Sequence, residues 1–165
     1  LASQTFGLLG CGHVGRALAG KLHALSVTCL GYDPYVDSDT LAKISIKKCD
    51  LQELLTQSDV VVIMLPLTSE TRDLMDHKNL STMKRGAILI NVSRGEIIDE
   101  KALVELLEAD HLGGAVLDVI QGEPVVNSRL LSVRNLVITP HIAGFTQSAN
   151  ILIATETVHN FLRSI

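Results

Sequence analysis

The sequence predicts an α/β fold, a doubly wound parallel sheet with helices on both faces. Three observations carry that reading. Short apolar runs alternate with helical patterns along the 165 residues, the order produced by repeated strand–helix–strand units with right-handed crossovers. One run, Val60-Val61-Val62-Ile63-Met64-Leu65, is apolar at every position, as a strand buried on both faces must be. Aromatic residues make up only 3% of a chain that is 47% hydrophobic, with no Trp, so the core has to be aliphatic. A chain of this length is expected to form one domain with a sizeable core.

Phe6-Gly7-Leu8-Leu9 is the first strand, and the glycine-rich turn after it opens a helix patterned by Val14, Ala17, Leu18, Leu22 and Leu25. Val27 to Tyr32 forms a second strand and Ile44-Ser45-Ile46 a short third. Asp50 caps a helix holding Leu51, Leu54 and Leu55. The central strand, Val60 to Leu65, stops at Pro66; Thr68, Ser69 and Glu70 then read as capping residues before a helical stretch near Asn79 to Met83. Ala87 to Asn91 is the next buried strand, and Asp99 caps a helix with Leu103, Leu106 and Leu107 on one face. Ala115-Val116-Leu117 and Leu136-Val137-Ile138 are further strands, the latter read as buried and ended by Pro140, which cannot donate to a ladder. A last helix, about Thr146 to Leu162, carries Ile153, Thr157 and Phe161 on one face. No repeat, low-complexity tract or linker interrupts this order.

Composition narrows the function classes. A mean hydropathy of +0.32 excludes a disordered chain. The net charge of −4, a pI near 5.8 and the lack of a Lys/Arg stripe argue against a nucleic-acid partner. No apolar run approaches the ~18 residues of a membrane span. Three cysteines, Cys11, Cys29 and Cys49, occur with no CxxC and no metal-ligand spacing, so neither a disulfide framework nor a metal site is expected. The first residues lack the charged segment of a signal peptide, and a cytoplasmic location is the expectation.

"GLLGCGHVGRALAG" contains Gly10-x-Gly12-x-x-Gly15 after a strand and before a helix, the context a dinucleotide fingerprint requires. Gly10 permits the tight turn, Gly12 lets backbone approach a pyrophosphate, and Gly15 lets helix and strand pack closely. The helix N-terminus offers its N–H groups to the phosphates. Asp33, 18 residues after Gly15 at the end of the second strand, can accept both ribose hydroxyls and would repel a 2′-phosphate. The expected cofactor is therefore NAD rather than NADP, on a Rossmann-type sheet.

Three further loops follow strands and so open at the carboxyl edge of a parallel sheet, where ligands bind. They carry Arg94, then Asp118 and Glu123, then His141. Singly, each reads as an ordinary loop residue. Together they supply what oxidation of a 2-hydroxy acid needs. A guanidinium binds the carboxylate bidentately, an imidazole moves the hydroxyl proton, and a carboxylate beside that imidazole orients it and favours its protonated form.

At these residues the sequence resembles the D-isomer-specific 2-hydroxyacid dehydrogenases, in particular their cofactor-binding domain. The resemblance covers "GLLGCGHVGRALAGKL", "GYDPY", "LPLTSETRDLM", "LINVSRGEIIDEKAL", "GAVLDVIQGEP" and "ITPHIAGFT". The spacings, 29 residues from Arg94 to Glu123 and 18 from Glu123 to His141, are similar to those of the family's Arg–Glu–His set. The resemblance implies that Arg94 binds the substrate's carboxylate and oxo group, with His141 as acid/base and Glu123 as its partner. It implies that Asp118 holds the nicotinamide carboxamide, that His13 and Val14 cover the pyrophosphate, and that Leu65, Pro66, Val92 and Ser93 line the adenosine and nicotinamide sides. Gly144 would leave room for the cofactor beside His141. Glu123 sets the chain apart from the formate dehydrogenase branch, which usually has Gln in that role. Homodimerisation through this domain is a further implication.

The family's second, substrate-closing domain has no counterpart in these residues, so the isolated domain is expected to be inactive. Phosphoglycerate, glyoxylate/hydroxypyruvate and erythronate-4-phosphate types of substrate stay open, the last on the faint likeness of "QGEPVVNSRLL". The alternative function is a non-catalytic, NAD(H)-responsive dimerisation module similar to the family's corepressor branch. A Rossmann methyltransferase or NADP reductase explains none of the three later loops.

Overall fold

In the computed structural model, which describes residues 2–125 and 128–164, seven parallel strands form one sheet. In chain order the elements begin β1 (Thr5–Leu9), α1 (His13–Ala24), β2 (Thr28–Tyr32), α2 (Ser38–Ala42), β3 (Ile46–Lys48), α3 (Leu51–Gln57) and β4 (Val60–Ile63). They continue with α4 (His77–Thr82), β5 (Ile88–Asn91), a 3-10 turn at Gly95–Ile97, α5 (Glu100–Glu108), β6 (Gly114–Leu117), α6 (Ser128–Leu131), β7 (Leu136–Ile138) and α7 (Gln147–Ser164). The strand order is β3-β2-β1-β4-β5-β6-β7. Its direction reverses between β1 and β4, and a ligand cleft is expected at the carboxyl end of that switch point.

The apolar run of β4 shows why the order is stable. Val61 and Ile63 enter one core with Leu9, Leu54, Leu55, Leu89 and Leu103. Val60 and Val62 enter the other with Phe6, Leu8, Ala19, Leu22 and Leu41. The first core continues under α3, α4 and α5 as far as Leu117 and Leu130. The second is built from α1 and α2, with Ile90 as its farthest, partly buried member. Asp50, Asp76 and Asp99 cap α3, α4 and α5 with side-chain oxygens on first-turn N–H groups, each worth about 1 kcal/mol.

Several boundaries differ from the sequence expectation. Strand β4 stops at Ile63, which frees Met64 and Leu65 to line a cleft. The third strand begins at Ile46, because Ser45 adopts a left-handed φ of 60° that ends the turn after α2. Thr68 and Thr71 do not cap a helix; they bond one another and close a tight turn at the end of β4. Helix α1 buries Gly15, Ala19 and Leu22 rather than Val14 and Leu25, since the glycine face lets it approach the β1 turn. Strand β7 is only half buried: Leu136 and Ile138 pack against the first core, whereas Val137 is 55% exposed. Val137 lies at the sheet edge beside Val116, on the face that carries α1 and α2 but beyond their reach. Helix α7 has no buried residue, so Ile153 and Phe161 are exposed. Of "QGEPVVNSRLL", residues 126–127 lie outside the described residues.

Candidate active site

The β1–α1 turn is shaped by its glycines. Gly10 has φ +98°, and a Cβ on it would lie 2.9 Å from the Met64 carbonyl, so both conformation and space require glycine. A Cβ on Gly15 would lie 2.3 Å from the Gly10 oxygen, which is why α1 sits directly on the turn. Gly12 faces open space, with nothing within 4 Å of a Cβ position. As the N-cap of a 12-residue helix it brings no side chain to the first-turn N–H groups. Such an open, glycine-floored helix start fits a pyrophosphate. Asp33, immediately after β2, steadies this turn. Its Oδ2 accepts from the Cys11 N–H at 2.9 Å and its Oδ1 from the Tyr35 N–H at 2.9 Å, leaving lone-pair capacity on both oxygens for hydroxyl donors.

Two clefts meet here. A cleft of about 190 Å³ lies between Gly12, Asp33, Tyr35, Leu65, Glu70 and Leu74. A wider one of about 480 Å³ is lined by Val14, Leu65, Pro66, Val92, Ser93 and Arg94. They share Met64, Leu65 and Pro66, so one trough runs from the β2 end to the β5 end of the sheet. His13 is exposed at its rim.

At the β5 end, Asn91 is fully buried and grips the loop that follows. Its Oδ1 accepts from the Ser93 N–H at 3.0 Å, and its Nδ2 donates to the Arg94 carbonyl at 2.9 Å. The Ser93 hydroxyl donates to the Leu65 carbonyl, tying this loop to the β4 end. The Arg94 side chain is exposed, its Nη1 donating to the Ser93 carbonyl at 2.7 Å. Gly95 packs against the Ile120 backbone, where a Cβ would come within 2.1 Å.

Glu123 and His141 are brought into direct contact. His141 Nδ1 lies 2.9 Å from Glu123 Oε2, while Glu123 Oε1 accepts from the Ile120 N–H at 3.0 Å. Burial pushes the Glu123 carboxyl up, but the bonds from His141 and Ile120 outweigh it and hold the group below the usual range. His141 itself has φ +55°, a left-handed conformation uncommon outside glycine. Asp118 holds it there. The Asp118 carbonyl accepts from the His141 N–H at 2.9 Å. Its carboxylate, 4% exposed, accepts from the Thr139 hydroxyl at 2.6 Å and from the Ile142 and Ala143 N–H groups at 2.9 and 2.8 Å. Burial raises this carboxyl and the three donors lower it further, for a net depression.

Asp118 is thus already engaged in folding the histidine loop, with Oδ2 retaining room for another donor. Arg94 lines the neighbouring trough rather than joining the Glu123–His141 pair. Gly144 lies on the exposed loop beyond, with open space at its Cβ position. Sequence reasoning missed Asn91, Thr139, Tyr35 and Glu70. Asn91 had a signal, being the polar residue that closes the apolar run Ala87-Ile88-Leu89-Ile90. Among the described residues no group of three or more His, Cys, Asp or Glu could hold a metal ion, and no helix is long and apolar enough to cross a membrane.

Known proteins resemble this chain in sequence and fold. Residues 1–143 match the family model described as D-isomer specific 2-hydroxyacid dehydrogenase, NAD binding domain. The (S)-sulfolactate dehydrogenase of Chromohalobacter salexigens is 42% identical over 163 residues, which is 98% of this chain and 53% of that protein. The D-3-phosphoglycerate dehydrogenase of Bacillus subtilis is 34% identical over 99% of this chain and 31% of its own length. Among solved structures, a glyoxylate reductase from Paecilomyes thermophila superposes with a TM-score of 0.90 at 34% identity, covering 98% of this chain and 49% of that one. A D-lactate dehydrogenase from Aquifex aeolicus, complexed with NAD and lactic acid, gives 0.88 at 30% identity over 99% and 54%. The chain spans about a third to a half of the length of these relatives.

Proposed function

The chain belongs to the D-isomer-specific 2-hydroxyacid dehydrogenases as their NAD-binding domain, and on that premise we propose that it serves an oxidoreductase interconverting a D-2-hydroxy acid and its 2-oxo acid. The observation that carries the reading is the 2.9 Å contact between His141 Nδ1 and Glu123 Oε2 at the sheet edge that also bears Arg94. With Nδ1 engaged by a carboxylate, Nε2 of His141 is the nitrogen left to take the hydroxyl proton in oxidation or return it in reduction. Glu123 fixes the orientation of the ring. Arg94, on a loop braced by Asn91, binds the carboxylate and polarises the oxo group.

The trough holds NAD with Gly12 and the α1 start at the pyrophosphate, Asp33 at the adenosine ribose, and Val14, Leu65, Pro66, Val92 and Ser93 along its walls. The nicotinamide supplies hydride transfer when bound, with Asp118 Oδ2 receiving the carboxamide. Sulfolactate, phosphoglycerate, glycerate and glyoxylate are the substrates in the names of relatives. A small 2-hydroxy acid carrying a second anionic or polar group is the class this reading favours, completed by a substrate-closing domain. A cytoplasmic homodimer is part of the same reading, and light scattering on the full-length protein tests the assembly.

The deciding experiment is H141Q in the full-length protein, assayed across 2-oxo acids with NADH. The rate should fall about 10²–10⁴-fold while NADH binding by fluorescence stays within two-fold, roughly. Near-normal turnover removes His141 from catalysis. No turnover by the wild type on any 2-oxo acid favours the NAD-responsive module instead.

A further inference from the structure

The narrower cleft has a lip that the dehydrogenase reading does not use. Tyr35 Oη donates to Glu70 Oε2 at 3.1 Å, joining loops 35 residues apart in sequence. Both residues line the cleft with Gly12 and Asp33. Neither is placed loosely. The Tyr35 N–H is held by Asp33 Oδ1. Glu70 stands on a turn in which the Thr68 hydroxyl accepts from the Glu70 and Thr71 N–H groups and the Thr71 hydroxyl donates to the Pro66 carbonyl at 2.6 Å. Tyr35 is 84% exposed, so no core packing explains its position; the bond across the cleft does. Hydrogen bonding to Glu70 and the nearby charges of Glu70 and Asp33 push the phenol's pKa up.

We propose that Tyr35 and Glu70 form a clasp over the adenosine half of the trough, closing on the nucleoside and setting a second carboxylate beside Asp33 against a 2′-phosphate. This rests on the NAD reading above. Asp33 alone divides its two oxygens between the ribose and the Cys11 and Tyr35 N–H groups. Glu70 adds fixed negative charge from the opposite wall, and Tyr35 keeps that charge at the ribose rim. The nicotinamide end is untouched by either residue, so the clasp acts on adenosine-bearing ligands only.

Titration of the 165-residue chain with NADH, NADPH, ADP-ribose and nicotinamide mononucleotide tests this in the wild type, Y35F and E70Q. Melting curves verify that the variants fold, as expected for exposed sites. E70Q should tighten NADPH about five-fold at low salt, the effect of removing one like charge a few ångströms away in a high-dielectric setting. That gain should vanish near 1 M salt, where the screening length is about 3 Å. Y35F keeps the ring but loses the bond, and should weaken NADH and ADP-ribose about two- to ten-fold while leaving nicotinamide mononucleotide unchanged. A response of E70Q alone, or of neither variant, overturns the clasp. Equal weakening of all four ligands by Y35F does so too. A wild type that binds no NADH removes the cofactor reading itself, and the clasp with it.

Discussion

Replacing Gly95 with alanine should damage the proposed dehydrogenase activity without touching a group proposed to do chemistry. Gly95 is buried immediately after Arg94, and an added Cβ would lie 2.1 Å from the Ile120 carbonyl carbon, 2.3 Å from its oxygen and 2.4 Å from the Gln121 nitrogen. These are backbone atoms and cannot swing aside. Restoring a contact of 3.4 Å separates the Arg94 loop from the Ile120 loop by about 1 Å or more. The separation is resisted on both sides. Gln121 N–H and Nε2 donate to Glu100 Oε1 and the Ile98 carbonyl at 2.6 and 2.7 Å, and β5 is paired with β6 up to Asn91 and Leu117. Overpacking of this kind costs about 1–3 kcal/mol, and for a chain of this size about 2 kcal/mol lowers Tm by roughly 6 °C. Activity should suffer more. Ile120 also carries the N–H that holds Glu123, so the same shift moves Arg94 relative to Glu123 and His141, and a 1 Å misplacement costs about 10²-fold in rate. The assays are thermal melting of the chain and kcat/KM of the full-length protein. A G95A enzyme with unchanged Tm and kcat/KM would refute the reasoning.

Three other outcomes follow from the same geometry. D118A removes three hydrogen bonds to a buried carboxylate; it should cost about 3 kcal/mol by urea denaturation and make residues 139–143 exchange amide protons faster. The bonds from His141 and Ile120 hold the Glu123 carboxyl below its ordinary value of about 4.5, so its stabilising effect is fully present above that pH and lost as pH falls through the lower folded value. The stability gap between wild type and E123Q, measured by urea midpoints, should therefore close as pH falls below about 4.5; a gap that widens in acid contradicts the assignment. Burial and the nearby Asp33 push the Cys11 thiol up to about 12, and burial raises Cys29 and Cys49 as well. A disulfide reagent at pH 8 should label none of the three rapidly in the native chain and all of them after unfolding, because the thiolate is the nucleophile.

The elements legible in the sequence were those whose signal is local. Asp50 and Asp99 announce their helices because an N-cap acts on the next three residues, and the β4 run is unmistakable because both faces are buried. Helix α2 was not legible: its five residues, Ser38–Ala42, bury only Leu41, too few to make a period. The burial of β7 was misjudged for a different reason. Leu136, Val137 and Ile138 are as apolar as a central strand, but exposure depends on which strand lies outside and which helix covers it, and neither is written locally. The Glu123–His141 contact was legible as spacing alone. Its brace, Thr139 with Asp118, was not, since the two are 21 residues apart and meet only when β6 and β7 pair.

What unites the site is where its polar braces stand. Asp33 follows β2, Asn91 ends β5 and Asp118 follows β6, all at the carboxyl edge of the sheet. Each takes N–H groups of a turn leaving the ladder: Cys11 and Tyr35 for Asp33, Ser93 for Asn91, Ile142 and Ala143 for Asp118. A strand that stops leaves such groups without ladder partners, and a short carboxylate or amide side chain is the nearest way to satisfy them. The loops bearing Arg94 and His141 are therefore held in shape by protein groups before any ligand arrives, and the ligand need not spend binding energy ordering them. An Asp or Asn closing an apolar strand is in this sense a sharper mark of the functional edge than the glycines. The glycines say where backbone can come close, and the strand-end acids and amide say which loops the protein itself braces.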